Sequence, residues 1–133
     1  MDSEKEFINK AVSLHGHFGP SLMLGLKACL HAKHVLGDVS KCVVKTIGRK
    51  PYICAIDGIK ACSKCEICVE EGDGLVFTFF SGSRELKMSL KTTLLSEYYD
   101  KPWNELERLA DEVVIKDVTD LFDVMMPSCS LSF

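Results

Sequence analysis

Hydrophobic residues recur at helical spacing over the first part of the chain. Apolar side chains fall on one face of residues 3–14, and this pattern predicts a helix. Ser3 and Glu6 form a capping box that marks the start of this helix. A second helix is predicted from Pro20, which suits the first helical position, to Leu36, where a glycine follows as the cap. One narrow face of this second helix carries small residues, which are Gly25, Cys29 and Ala32. The pattern predicts that another element packs closely against that face.

Alternating apolar and polar residues predict strands in the middle of the chain. Residues 42–47, 75–80 and 85–90 each alternate in this way. The link Ser81-Gly82-Ser83 between the last two segments is short and contains glycine, which is typical of a β-hairpin. The sequence therefore predicts three strands, two of which form a hairpin.

Three further segments have helical spacing, and they are residues 54–62, 104–114 and, more briefly, 120–124. The helices thus come in runs, while the predicted strands cluster. This order favours an α+β fold over a regular βαβ repeat. We predict a single domain over residues 1–133, with a mostly antiparallel sheet and flanking helices.

The charge and composition of the chain argue against several classes of function. The 133 residues carry a formal net charge of -3 and contain no block of like charges, so we expect no nucleic-acid partner. No apolar run reaches the roughly 20 residues that cross a bilayer, so we expect no membrane association. The acidic and polar residues 1–6 are not typical of a signal peptide, which predicts a cytoplasmic location.

In a reducing compartment, the seven cysteines indicate metal binding or redox chemistry more than a disulfide framework. Cys62, Cys65 and Cys68 follow at intervals of three, which places thiols on one side of a helix or in a metal-binding knuckle. A ferredoxin-type cluster needs a fourth cysteine where this chain has Glu71. The cysteines in core-like or terminal contexts are interpreted as structural, and they are Cys29, Cys42 and Cys129.

Two other groups of residues could carry chemistry. His15 and His17 are separated by one glycine and can converge on one point, and the helix N-terminus that follows keeps a histidine neutral and able to bind metal. Cys54 and Asp57 lie one helical turn apart, so both can face one pocket. Asp57 could act there as a general base, a metal ligand or the partner that orients a histidine. Backbone hydrogen bonding by the histidines and helix capping by Asp57 are the structural alternatives.

Several ordered motifs together resemble the core domain of the E-type subunit family of formylmethanofuran dehydrogenase. Residues 15–28, HGHFGPSLMLGLKA, look like the opening His-Gly-His loop and helix of that family. Residues 54–60, CAIDGIK, followed by Cys65, resemble its central cysteine segment, and residues 74–90 resemble its paired strands. Residues 120–124 are similar to the end of the core domain. The resemblance spans nearly the whole chain.

This resemblance implies an α+β core, a homodimer, and a metal-capable pocket built from the His-Gly-His loop and the central cysteine segment. It also implies association with formylmethanofuran dehydrogenase subunits or another molybdenum or tungsten enzyme, as an auxiliary subunit or small enzyme of one-carbon metabolism. On this basis we predict a zinc or iron site, because both metals accept mixed nitrogen and sulfur ligands. The predicted ligands are His15, His17, Cys54 and Cys65, and the predicted catalytic residues are Asp57 and Cys65.

Two other functions stay open. A thiol-based redox or metal-delivery protein would use Cys62, Cys65 and Cys68, and it would contain a thiol of low pKa. A non-catalytic interaction module is the other alternative, since this chain has Gly19 where members of the family commonly have cysteine. Such a module would bind no metal.

Overall fold

A five-stranded sheet organises the part of the chain that the computed structural model describes, which is residues 4–16, 19–47, 54–98 and 102–125. The strands are β1 (Lys41–Thr46), β2 (Glu66–Glu71), β3 (Leu75–Ser81), β4 (Arg84–Leu90) and β5 (Phe122–Met125). Their order across the sheet is β2-β1-β3-β4-β5. β1 and β2 run parallel, and the other neighbouring strands run antiparallel.

Six α-helices accompany the sheet within the described ranges. They are α1 (Glu4–His15), α2 (Pro20–Leu36), α3 (Ala55–Cys62), α4 (Thr92–Tyr98), α5 (Leu106–Ile115) and α6 (Val118–Leu121), and a 3₁₀ turn (Trp103–Glu105) precedes α5. A mixed, mostly antiparallel sheet with flanking helices confirms the predicted α+β class. Among the described segments, no helix combines the length and the apolar character needed to cross a membrane.

The core lies on one face of the sheet. Strand alternation places Cys42 and Val44 of β1 on the same face as Phe79 and Phe77, their partners on β3, and all four are buried. The second helix supplies the facing layer, since α2 is buried along most of its length and lies against β3 and β4. The sequence pattern predicted the hairpin of β3 and β4.

Helices α2 and α3 pack almost backbone to backbone. A Cβ atom added to Gly25 would overlap the carbonyl oxygen of Ala55, and one added to Gly58 would overlap the carbonyl oxygen of Leu22. Only glycine permits this approach at both positions. The close packing confirms that the small-residue face of α2 meets another element, and that element is α3.

The described sheet has five strands rather than the three predicted, and the two additional strands, β2 and β5, correct two sequence predictions. The run that ends at Cys68 is not one helix or one knuckle, because Cys62 ends α3, Cys65 lies in the following connection and Cys68 belongs to β2. The helix predicted over residues 120–124 is also wrong, since α6 ends at Leu121 and residues 122–125 form β5. Backbone pairing with neighbouring strands explains both differences, since β2 pairs with β1 and β5 pairs with β4.

Candidate functional site

The close packing of α2 against α3 brings two thiols together. Cys29 lies one turn after Gly25 on α2, and Cys62 is the last residue of α3. Their thiols lie close enough together for each to shift the pKa of the other. Cys29 is fully buried, whereas Cys62 is 5% exposed and lines a surface pocket. Cys62 therefore lies at the pocket, and Cys29 is enclosed in the core.

The surroundings of Cys62 favour its thiolate. The hydrogen bond from Cys29 is the main cause that lowers the pKa of Cys62; burial opposes the shift, and the positive charges of Lys33 and Lys10 add to it. The C-terminus of a helix such as α3 carries a partial negative charge, which works against a thiolate there. The cysteine and the two lysines outweigh the effect of burial.

The same hydrogen bond acts on Cys29 in the opposite direction. It is the main cause that raises the pKa of Cys29, followed by burial and by the negative charge of Cys62. Cys29 therefore keeps its proton and donates it toward the sulfur of Cys62. The two cysteines form an asymmetric pair, with a thiol in the core and a thiolate near the surface.

Lys33 holds its place beside Cys62 through two contacts. Its ammonium nitrogen donates a hydrogen bond of 2.9 Å to the carbonyl oxygen of Cys62. The same nitrogen lies 5.3 Å from the centroid of the Phe7 ring on α1, within the range of a cation–π interaction. The cation is thus fixed at the end of α3, where it stabilises both the last carbonyl groups and the thiolate.

Two other cysteines lie close to this pair but differ in character. Burial raises the pKa of Cys65, and a hydrogen bond with Ser63 offsets part of the increase. Burial also raises the pKa of Cys42, which is fully enclosed on β1. Both are expected to be protonated at neutral pH.

Cys68 is directed away from the pair. Strand alternation puts Cys68 on the face of β2 opposite to Ile67, and Ile67 lies in register with the core residue Cys42. The Cys68 sulfur lies 3.8 Å from a carboxylate oxygen of Glu66 on that outer face. Of the three cysteines singled out by spacing, only Cys62 and Cys65 lie near each other on the inner side.

A cavity of about 350 Å³ opens beside Cys62. Among the described residues that line it are four lysines and one acidic side chain, Asp38. The lysines come from three different helices and the connection after α3, and they are Lys10, Lys33, Lys60 and Lys64. This pocket is locally basic, although the chain as a whole carries a formal net charge of -3.

The structure separates two of the predicted metal ligands. Cys54 lies immediately before α3, and Cys65 lies beyond its other end. The eight residues of α3 span about 12 Å along the helix axis, which is far more than the separation of two sulfurs bound to one metal ion. Within the described ranges, no three His, Cys, Asp or Glu side chains lie close enough together to hold a metal ion.

The structure describes the other predicted metal ligands only in part. His17 lies outside the described residues, and His15 is described only as the last residue of α1. Cys54 is buried at the start of α3, and Asp57 follows it in the first turn, half-buried. A site that joins the two histidines to Cys54 stays a prediction.

One polar group near the predicted His-Gly-His loop, the hydroxyl of Ser21, has no hydrogen-bond partner among the described residues. The Ser21 hydroxyl in the first turn of α2 is buried, and no described group forms a hydrogen bond with it. The residue that caps α2, Gly19, has no side chain with which to satisfy the free N–H groups there. A buried hydroxyl without a partner often marks a place for a water molecule or an ion.

Sequence reasoning misses Cys29 and Lys33 as functional residues. It interprets Cys29 as structural because that residue lies among core-like positions. The small-residue face that contains both Gly25 and Cys29 predicts a close partner for α2, and it would point to Cys29 once that partner is identified as α3. No sequence signal points to Lys33.

We found no protein-family model that matches the sequence. A search of curated proteins likewise found no match to it. The resemblance to the E-type subunit family of formylmethanofuran dehydrogenase stays a prediction.

Proposed function

We propose that this protein carries out thiol–disulfide exchange, with Cys62 as the attacking thiolate and Cys29 as the resolving thiol. The proximity of the two thiols, where α2 and α3 pack closely, is the observation that carries this proposal. It puts a buried thiol in contact with a sulfur that favours the anionic form. Thiolates, rather than thiols, attack disulfides.

In the first step, Cys62 opens the substrate disulfide. The Cys62 thiolate attacks one sulfur of a substrate disulfide, the substrate S–S bond breaks, and one half of the substrate leaves as a thiolate. A mixed disulfide then joins Cys62 to the other half. The departing thiolate takes up a proton from solvent or from Cys29.

The second step uses the buried partner. Once the Cys62 sulfur is part of a mixed disulfide, it no longer carries the charge that raises the pKa of Cys29. The Cys29 proton is then lost more readily, and its thiolate attacks the Cys62 sulfur and releases the second half of the substrate. The substrate gains two electrons from the two protein sulfurs and two protons, one from Cys29 and one from solvent. The protein ends with a Cys29–Cys62 disulfide, which an external dithiol reduces.

The proposal is tested by trapping the intermediate. Wild-type protein and the Cys29→Ala variant are treated with a small disulfide, and the products are mapped by peptide mass spectrometry. We expect a Cys29–Cys62 disulfide in the wild type and a stable mixed disulfide at Cys62 in Cys29→Ala. Alanine keeps the Cys29 site apolar, but Cys62 loses the thiol that most lowers its pKa and should react more slowly in this variant.

Cys65→Ala is the matched control, since Cys65 lies three residues from Cys62 and is an alternative resolving thiol. It should form the Cys29–Cys62 disulfide as the wild type does. Formation of a Cys62–Cys65 disulfide in the wild type would assign the resolving role to Cys65. If Cys62 does not react in any of the folded proteins, thiol–disulfide exchange is excluded.

A metal site at the start of α2 is the second candidate function, and the unpartnered Ser21 hydroxyl is the observation that favours it. His15, His17 and Cys54 would supply the ligands for zinc or iron, with Asp57 beside them. Elemental analysis of protein purified without chelator tests this candidate, with His17→Ala and Cys54→Ala as variants. Near-stoichiometric metal that is lost in both variants supports the site, and metal-free, folded wild-type protein that takes up no added zinc or iron rules it out.

The remaining expectations are proposals as well. We propose a cytoplasmic location, where a thiol pair is kept reduced. A homodimer and association with formylmethanofuran dehydrogenase subunits follow from the resemblance, and light scattering and co-purification test them.

A further inference from the structure

The lysines described around the pocket beside Cys62 carry more positive charge than one thiolate would balance. Lys33 is engaged by the carbonyl oxygen of Cys62 and by the Phe7 ring. The other lysines of the pocket, Lys10, Lys60 and Lys64, are exposed at its rim. They come to the same opening from α1, from α3 and from the connection after α3.

We infer that this pocket binds the negatively charged groups of a small disulfide and so directs one of its sulfurs to Cys62. This inference rests on the proposed thiol–disulfide exchange and adds the class of substrate, a low-molecular-weight disulfide that carries carboxylates or other anionic groups. Lysine ammonium groups act as point charges and suit such groups without imposing one geometry.

The size of the pocket sets the size of the substrate. A cavity of about 350 Å³ is at the lower end of the range for small-molecule sites, which begins near 300 Å³. It accommodates a group the size of an amino acid or a short peptide, and it is too small for a folded protein domain. Cys62 is 5% exposed and lines this pocket, so a substrate sulfur in the pocket lies next to Cys62.

The distribution of charge strengthens the argument. A chain with a net charge of -3 repels anions on average. A locally basic pocket attracts anions despite the negative charge of the rest of the molecule. Asp38 on the rim reduces the positive charge but does not cancel it, because four lysines share the lining. Cationic disulfides are disfavoured by the same arrangement.

Two alkylating reagents of nearly equal size test the inference. The rate of Cys62 alkylation is measured by peptide mapping with iodoacetate, which is an anion, and with neutral iodoacetamide. The ratio of the two rates is compared with the same ratio for Cys62 in urea-unfolded protein. We expect the folded protein to favour iodoacetate by roughly tenfold over the unfolded reference.

The second measurement compares the rates at which Cys62 reacts with disulfides of different charge, in the wild type and in lysine variants. Glutathione disulfide should react with Cys62 faster than neutral hydroxyethyl disulfide, and faster still than cationic cystamine. The variant with both Lys60→Gln and Lys64→Gln should lose this order, whereas Lys87→Gln, an exposed change on β4 outside the pocket, should keep it. High salt should weaken the preference as well, since charges at the exposed rim are screened.

The outcomes separate the two proposals. Fast reaction of Cys62 with all reagents, without preference for anions, overturns the substrate class and leaves thiol–disulfide exchange intact. A preference that is unchanged in the double lysine variant assigns the selectivity to another feature and also overturns the inference. Failure of Cys62 to react with any reagent in the folded protein overturns both.

Discussion

The ammonium group of Lys33 is hydrogen-bonded, at 2.9 Å, to the carbonyl oxygen of Cys62, the residue whose thiol meets Cys29. We predict that Lys33→Met raises the pKa of the Cys62 thiol, because it removes one of the two lysine charges that favour the thiolate. Alkylation of Cys62 at neutral pH should then slow, and the pH at which the rate is half-maximal should increase. The variant should also lose about 1 kcal/mol of stability with the hydrogen bond.

Lys87→Met is the control for that variant, because it removes an exposed lysine from β4 without touching the thiol pair. Its alkylation profile should match that of the wild type. A Lys33→Met protein with an unchanged profile would show that the thiolate does not depend on this cation.

Three buried cysteines should differ in their response to pH. The pKa of Cys62 is lowered and those of Cys29 and Cys42 are raised, so at any pH near neutrality the thiolate fraction is highest at Cys62. In the native protein, iodoacetamide should modify Cys62 with a midpoint below that of the same residue in urea. Cys29 and Cys42 should react only after unfolding.

Peptide mapping after short exposures at a series of pH values measures these profiles. Cys42 serves as the internal control, since it is fully buried and is not among the residues described as lining the pocket beside Cys62. Equal protection of Cys62 and Cys42 in the native protein would contradict the prediction.

Most of the fold could be predicted because its elements carry local signals. The N-terminal proline and C-terminal glycine of α2 mark its ends, and the alternation in β3 and β4 marks the hairpin. β2 carries no such signal. Its residues are largely exposed or half-buried, and its conformation follows from parallel pairing with β1, which is a contact distant in sequence.

The candidate site was less predictable than the fold. Spacing pointed to Cys62 and Cys65, but the partner of Cys62 lies 33 positions earlier, on α2, and no local pattern joins the two. The predicted ligand set also joined Cys54 to Cys65, although α3 holds them at its opposite ends. The geometry of the site depends on how α2 and α3 cross, and two glycines set that crossing.

We predict that Gly58→Ala destabilises the protein even though alanine is the better helix former. The gain in helix propensity is about 1 kcal/mol. The added methyl group would overlap the carbonyl oxygen of Leu22 and lie 2.7 Å from the backbone nitrogen of Leu26, so α3 must shift away from α2. Overpacking of this kind costs about 1–3 kcal/mol. The shift should also weaken the contact between Cys29 and Cys62.

Urea unfolding measures the loss of stability, and the alkylation profile of Cys62 reports the contact between the thiols. Gly74→Ala is the matched control, since the nearest atom to its added methyl group would be 3.8 Å away, on Leu95. The control should change stability by less than about 0.5 kcal/mol. A Gly58→Ala protein as stable as the wild type would show that the helices have room to move apart.

The last prediction tests whether residues 122–125 form a strand, since the sequence pattern predicts a helix over residues 120–124. Phe122 is 1% exposed, pairs with Leu90 of β4, and packs edge-on against Phe77 with 5.9 Å between the ring centroids. Phe122→Ala should therefore cost about 3–5 kcal/mol of unfolding free energy. Met125, on the opposite face of the strand, is 58% exposed, and Met125→Ala should cost less than about 0.5 kcal/mol.

A helix over residues 120–124 would give a different result. If that helix continued by one residue, Leu121 and Met125 would lie four residues apart on one buried face, so that truncating Met125 would be costly. Urea unfolding of the two alanine variants separates these possibilities because it measures both on the same scale. A larger loss for Met125→Ala than for Phe122→Ala would contradict the pairing of β5 with β4, and the expected order would confirm that backbone pairing decides the structure of this segment.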